Sequence, residues 1–348
     1  MPSRKTKIRK TLNIVLRVLI ILVTWGFIYR EVLYHRQWDE IIRVVSGIAD
    51  RSGLILGLAG VVVLMVLNWG IESGKWQFMI WKIEKISFLR AYVGVLTGVS
   101  VSSFTPNRIG EYFGRVFILD KASHVKGILI TILGSMSQLL ITLLTGSLAL
   151  ILFMPGFLPD LQLKFDFIYQ GIVILIVILD VLLLLIYFNV SLLFSFLERL
   201  LKGKRLEKIH SFLEVFSYFR TRELLCVISL SFIRYMVFSC QYFILLSVFS
   251  VPVSFPEAMI LISLVFFLTS AIPSIALTEL GIRDSVALYF FGIYFSRNGI
   301  MSDPVALGVL AASTGLWVVN LAIPAIAGTF FVLRLRFFRK NGNGNSIA

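Results

Sequence analysis

Residues 102–116 read "SSFTPNRIGEYFGRV", and they interrupt a chain that is otherwise apolar enough for lipid. A proline, two glycines, two arginines and a glutamate stand where a membrane helix should be continuous. A second interruption, "SAIPSIALTELGIRD", occupies residues 270–284. A charge at the bilayer centre is unfavourable by about 2.5–3.5 kcal/mol on insertion scales, so these groups must face each other, water or a ligand. Irregular backbone at membrane depth survives only when buried in protein or lining a wet cavity. Each break therefore reads as the tip of a re-entrant hairpin.

The composition around the breaks sets the class. Of 348 residues, 58% are hydrophobic, and the mean hydropathy is +0.90. Soluble domains hold about 45–50% apolar residues, so the surplus faces lipid. The net charge of +14 does not indicate nucleic acid, because the Lys and Arg sit beside apolar runs, where they mark topology and meet anionic headgroups. Cys226 and Cys240 fall in one predicted helix, about 21 Å apart at the helical rise, too far for a disulfide. His35, His124 and His210 show no metal-ligand spacing, and no cofactor is expected. The N-terminal apolar run is too long for a signal-peptide core and reads as a retained span.

Six segments predict full spans, at about 11–30, 53–72, 127–153, 166–189, 223–249 and 304–333. The fold class is thus an all-α integral membrane protein with two added hairpins, at about 91–118 and 257–295. With both hairpins re-entrant, 22 of the 33 Lys and Arg fall on one side and six on the other. That bias predicts a cytoplasmic (inner) membrane protein with both termini cytoplasmic. The order span–hairpin–span occurs twice, over about 53–153 and 223–333, with hairpins entering from opposite sides. This is the pattern of an inverted-topology repeat, which in transporters places the ligand near the midplane. Residues 1–340 read as one polytopic domain and 341–348 as a disordered tail. Connectors at 38–50 and 74–88 mix Trp with charge and read as interfacial helices, and 191–222 as the main cytoplasmic loop.

In the first hairpin Thr105 is a candidate cap for a helix starting at Pro106. Arg108, Glu111 and Arg115 would then share one face, with Gly110 and Gly114 allowing close approach of another backbone. In the second, Pro273 breaks the chain, Thr278 is the candidate cap, and Gly281, Glu279, Arg283 and Asp284 follow. Two readings stay open. The charges pin the tips as internal salt bridges, or the arginines hold an anion such as a lipid headgroup. Arg17 is expected to snorkel, and Asp180 and Arg234 to pair across helices. For Asn68, Gln138, Gln241 and Asn320 two roles stand equally open, interhelical hydrogen bonds and site residues.

"TPNRIGEYFGRVFIL" resembles the first signature of the lysylphosphatidylglycerol synthase transmembrane-domain family, and "IPSIALTELGIRDSV" is similar to the second. The basic, Trp-containing "ESGKWQFMIWK" also looks like that family's connector. The matched positions are Pro106, Arg108, Gly110, Glu111 and Arg115, then Pro273, Gly281, Arg283 and Asp284. The chain departs from the pattern at Glu279, where a small residue is usual, and at Asp284, where Glu is commoner. The resemblance implies a flippase-like domain that binds or moves lipids between leaflets, without the cytoplasmic aminoacyl-transferase domain. The expected function is translocation of an anionic lipid, phospholipid or aminoacylated phospholipid, rather than enzymatic turnover. A secondary transporter of a soluble anion and a membrane enzyme acting on a lipid-linked substrate are the alternatives. Expected partners are membrane lipids, with a homo-oligomer or a separate lipid-modifying enzyme as further associations.

Overall fold

A computed structural model of the chain describes residues 11–12, 14–16, 18–26, 29, 51–103, 105–157, 166–190, 214–272 and 276–332. The expectations for Arg17, the 38–50 connector, most of the 191–222 loop, Pro273 and the tail lie outside these residues. Among the described residues every regular element is helical. After a short apolar helix at Ile14–Gly26 come α1 (Arg51–Ile80), α2 (Phe88–Ser102), α3 (Gly110–Val116), α4 (His124–Phe157) and α5 (Asp166–Phe188). They are followed by α6 (Thr221–Val248), α7 (Phe255–Ala271), α8 (Ala276–Arg297), α9 (Asp303–Trp317) and α10 (Ile323–Val332). Five segments are long and apolar enough to cross a membrane: α1, His124–Pro155, Phe167–Phe188, α6 and Asp303–Val332. The chain is an all-α, multi-pass membrane protein.

The fifth of these segments is composite. α9 passes through a π-helical turn, Val318–Ala322, into α10. Extra-residue turns of this kind re-aim side chains and often occur near functional sites. Here the turn carries Asn320, whose Oδ1 accepts a 3.2 Å hydrogen bond from Asn68 Nδ2 on α1. Gln241 Nε2 likewise reaches across helices to Val61 O at 2.9 Å, so Asn68, Asn320 and Gln241 all make interhelical hydrogen bonds.

α1 and α6 run antiparallel at the centre. As the chain is followed from Val61 through Lys75 to Lys82, just past the end of α1, the partners on α6 fall from Gln241 to Ser231 to Glu223. The hairpin α2–α3 begins after the end of α1, and the hairpin α7–α8 after the opposite end, so the two enter from opposite faces of the bundle. Both return to their own side. At the base of the first, Arg90 bonds Ile118 O and Asp120, while Glu84 accepts the backbone N–H groups of Asp120, Lys121 and Ala122 at 2.7–3.0 Å. At the base of the second, Glu257 near the start of α7 is hydrogen-bonded to Tyr294 near the end of α8. The packing is reciprocal: α2 lies against α10 and α7 against α4. Ser100 Oγ donates to Ala325 O at 2.6 Å in the first contact, and Gly146 packs on Phe267 in the second.

Two expectations about the elements need correction. The span expected at about 53–72 does not stop near residue 72. α1 continues to Ile80, and Lys75 and Trp76 are each 1% exposed, so the first part of the 74–88 stretch is buried helix rather than an interfacial connector. Trp76 Nε1 donates to Thr131 at 3.0 Å, and Lys75 finds a carboxylate one turn away, which makes burial tolerable. The return limb of the second hairpin is also longer than expected, because α8 runs for 22 residues without a break at Gly281.

Candidate functional site

The first hairpin turns through left-handed backbone. After Ser103 the chain makes a 3-10 turn at Pro106–Arg108, with φ of 49° at Asn107 and 57° at Arg108. Asn adopts this region readily, whereas Arg does so rarely, and such outliers concentrate at ligand sites. Thr105 does not cap a helix at Pro106: its Oγ1 accepts from Gly110 N at 2.8 Å, the first residue of α3, whose N-cap position is Ile109. The turn therefore separates Arg108 from the face shared by Glu111 and Arg115, correcting the single-face expectation. Gly110 packs against Val101 O with no room for a Cβ, and a Cβ on Gly114 would lie 2.6 Å from Gly98 Cα.

Arg108 instead lines a cavity of about 550 Å³. Arg283 and Glu279 from α8 line it too, with Arg234 from α6. Neutral polar residues (Asn68, Asn107, Gln138, Thr142, Thr269 and Ser270) alternate with apolar ones such as Leu139, Tyr235, Phe238 and Phe266. Its depth follows from helix position. Gln138 and Leu139 lie at the middle of the span His124–Pro155, and Arg234 and Tyr235 at the middle of Thr221–Val248. At ~1.5 Å per residue, Arg234 is roughly 20 Å from either end of its helix. Leu139 is 46% exposed there, so one edge of the mouth is apolar and faces outward at mid-span.

Arg115, Glu111 and Asp284 do not line this cavity. Arg115, 2% exposed, donates from Nη1 to Glu72 Oε1 at 2.7 Å and from Nη2 to Glu111. Glu72 also meets Lys75 Nζ at 2.9 Å and Arg234 Nη1 at 3.4 Å. Lys75 completes its coordination with Gly134 O at 3.2 Å and Ser231 Oγ at 3.3 Å. Burying ions is unfavourable unless they are paired, and this network pairs each of its ions while linking α1, α3, α4 and α6. Asp284, 4% exposed, accepts from Thr314 Oγ1 at 3.3 Å behind the cavity wall.

Arg234 joins the two regions. Its Nη1 donates to Gln138 Oε1 at 3.2 Å and approaches Glu72, and its guanidinium lies 5.3 Å from the Trp69 ring centroid. The expected pairing with Asp180 does not occur, since Asp180 accepts from Ser147 Oγ at 2.6 Å on the far side of α4. In the second hairpin, Arg283 Nη2 donates to Glu279 Oε1 at 2.8 Å, one turn apart on α8. Thr278 lies inside α8, whose first residue is Ala276, and so does not precede the helix as a cap. Gly281 is mid-helix with open space around it.

Sequence reasoning missed Glu72 and Lys75. The usable signal was the unbroken helical run from residue 51 to 80, without proline, carrying an i, i+3 ion pair. Among the cavity arginines, Arg108, Arg234 and Arg283 each keep a buried Nε–H with no hydrogen-bond partner. Arg115 Nε, outside the cavity, shares this state, so the donors alone do not mark the space. No curated protein matches the chain. Residues 14–323, nearly the whole chain, match the family described as lysylphosphatidylglycerol synthase TM region. This multi-pass protein, with its paired charged hairpins, belongs to that family, whose membrane domains are linked to lipid handling.

Proposed function

We propose that the protein binds the headgroup of an anionic lipid in the midplane cavity and moves that lipid between leaflets, without chemical turnover. The observation that carries this reading is the convergence of Arg108, Arg234 and Arg283 on one cavity at the middle of the spans. They come from three separate elements, the first tip, α6 and α8. Guanidinium groups match phosphate oxygens in geometry and charge. The exposed Leu139 at the mouth favours a lipid over a soluble anion, because acyl chains can stay in hydrocarbon while the headgroup enters. Opposed entry of the hairpins and their reciprocal packing support alternating access, with one hairpin-bearing half moving against the other. By the distribution of Lys and Arg, the protein resides in the cytoplasmic membrane with both termini cytoplasmic.

The test is leaflet exchange of a fluorescent phosphatidylglycerol in liposomes reconstituted with the full chain. Wild type should accelerate exchange over empty liposomes. Arg108→Gln and Arg283→Gln should each slow it by about 10- to 100-fold, as loss of a charge-assisted contact implies. Exchange at wild-type rate in both variants would contradict the reading. So would uptake of a soluble anion into sealed vesicles without any lipid exchange.

A further inference from the structure

We infer that Glu72 is a positioning residue for the lipid site: its carboxylate competes with the headgroup phosphate for Arg234, and Lys75 sets how strongly it competes. This rests on the lipid-binding reading above and deepens it. Two residues outside the cavity lining control one residue inside it.

The two oxygens of Glu72 are loaded unequally. Oε1 accepts from Arg115 Nη1 at 2.7 Å. Oε2 meets Lys75 Nζ at 2.9 Å and Arg234 Nη1 at 3.4 Å, so these two cations share one oxygen. Charge-assisted contacts are strongest at about 2.7–2.9 Å, which makes the Arg234 contact the loosest of the three. It is also the accessible one. The Arg234 side chain is 19% exposed and lines the cavity, whereas those of Lys75 and Arg115 are 1% and 3% exposed and do not line it. Lys75 is fixed in place by Gly134 O at 3.2 Å and Ser231 Oγ at 3.3 Å.

The other contacts of Arg234 orient it without supplying a counter-charge. Its guanidinium lies 5.3 Å from the ring centroid of Trp69, one turn before Glu72 on α1, and its Nη1 donates to Gln138 Oε1 at 3.2 Å. The counter-charge comes from Glu72 through one long contact. A phosphate oxygen in the cavity would draw Nη1 away from Oε2, and Glu72 would stay paired with Lys75 and Arg115. No buried carboxylate is stranded by that exchange of partners, so the large penalty for an uncompensated buried charge does not arise. Arg115 also holds Glu111 on α3, so the exchange acts on the same carboxylate that anchors the first hairpin.

The signs follow from the shared oxygen. Removing the Lys75 charge leaves Oε2 to Arg234, which is then harder for a phosphate to recruit. Neutralising Glu72 releases Arg234 to the phosphate.

The experiment is binding of fluorescent phosphatidylglycerol to the purified full chain in detergent. Wild type, Lys75→Gln and Glu72→Gln are compared, and the two substitutions are repeated in an Arg234→Gln background. Lys75→Gln should weaken binding at least about threefold, and Glu72→Gln should tighten it by a similar factor. Both shifts should vanish in the Arg234→Gln background, because a double-mutant cycle isolates the term that runs through Arg234. Weaker binding in both single variants would mean a general loss of structure and would overturn the inference. Unchanged binding in Lys75→Gln overturns it too. So do shifts of the expected sign that persist without Arg234, which would belong to the long-range field.

If Glu72→Gln does not elute as folded protein, Lys75→Gln decides, since there Glu72 keeps Arg115 and Arg234 as counter-ions. Any of these failures with wild-type binding intact leaves the lipid reading standing. Failure of wild type to bind the fluorescent lipid overturns the lipid reading itself, as does displacement by soluble glycerol phosphate at the same concentration as by phosphatidylglycerol.

Discussion

The first hairpin turns through left-handed residues at Asn107 and Arg108 and returns as the 7-residue α3, whereas the second returns as the 22-residue α8. Their charges are used differently. In the first, Arg115 and Glu111 are tied through Glu72 to the central helix α1, and Gly98 and Gly114 bring two backbones into contact. In the second, Arg283 and Glu279 pair along one helix, and a Cβ at Gly281 would touch nothing. The first hairpin is cross-linked to its surroundings by buried ions, and only Arg108 is left for the cavity. The second keeps its ion pair on the cavity wall itself. Related motifs thus divide the labour: one is anchored by buried ions, and the other carries its ion pair on the cavity wall.

That contrast can be broken at Glu72. Glu72→Ala strands Lys75, Arg115 and Arg234 without their shared counter-ion, so thermal unfolding in detergent should show a loss of about 3–5 kcal/mol. Glu279→Ala, at the half-buried pair on α8, should show a clearly smaller loss. Equal effects would end the distinction between an anchored and an unanchored hairpin.

The glycines give the next largest difference. Gly114→Val forces α3 away from Gly98 and should destabilise the protein by about 1–3 kcal/mol, whereas Gly281→Ala should be neutral or stabilising by up to about 1 kcal/mol. Parallel unfolding curves for the two variants would place the second hairpin in as tight a groove as the first.

Acid sensitivity sharpens the picture at the base of the first hairpin. Burial pushes the Glu84 carboxyl up, but the backbone N–H groups of Ala122, Asp120 and Lys121, together with Arg90, outweigh it and hold its pKa below the ordinary value. A lowered folded-state pKa contributes stability that is fully present above the unfolded carboxylate value of about 4.3. That contribution is lost as pH falls from there through the lower folded value. Wild type should therefore lose melting temperature on acidification below about pH 4.3, and Glu84→Gln should show a shallower acid slope. Identical slopes would remove Glu84 from the clasp.

Much of this architecture is legible in the sequence, and the exceptions have physical causes. Long apolar windows locate the spans, because lipid demands them, and proline with charge locates the hairpins, because lipid forbids both. What spacing cannot carry is pairing between distant segments. Glu72 meets Arg115 and Arg234, 43 and 162 residues away; the unbroken run from 51 to 80 shows that it lies in a helix with Lys75, but not these distant partners. Asp180 seemed an equally good partner for Arg234 until helix packing put Ser147 in front of it. The shared face of Arg108, Glu111 and Arg115 assumed a regular helix from Pro106, and two left-handed residues rotate Arg108 out of it. Thr278 and Gly281 resemble a cap and a break only if the helix starts late; it starts at Ala276.

The central claim is that the three cavity arginines hold an anionic headgroup, and the lipids retained after gentle extraction test it most directly. Wild type should carry one anionic phospholipid class enriched over its share of the membrane. Arg108→Gln, Arg234→Gln and Arg283→Gln should each lose that enrichment while eluting as folded protein. Lipid of ordinary membrane composition in wild type, unchanged in all three variants, would contradict the account and return these arginines to a structural role.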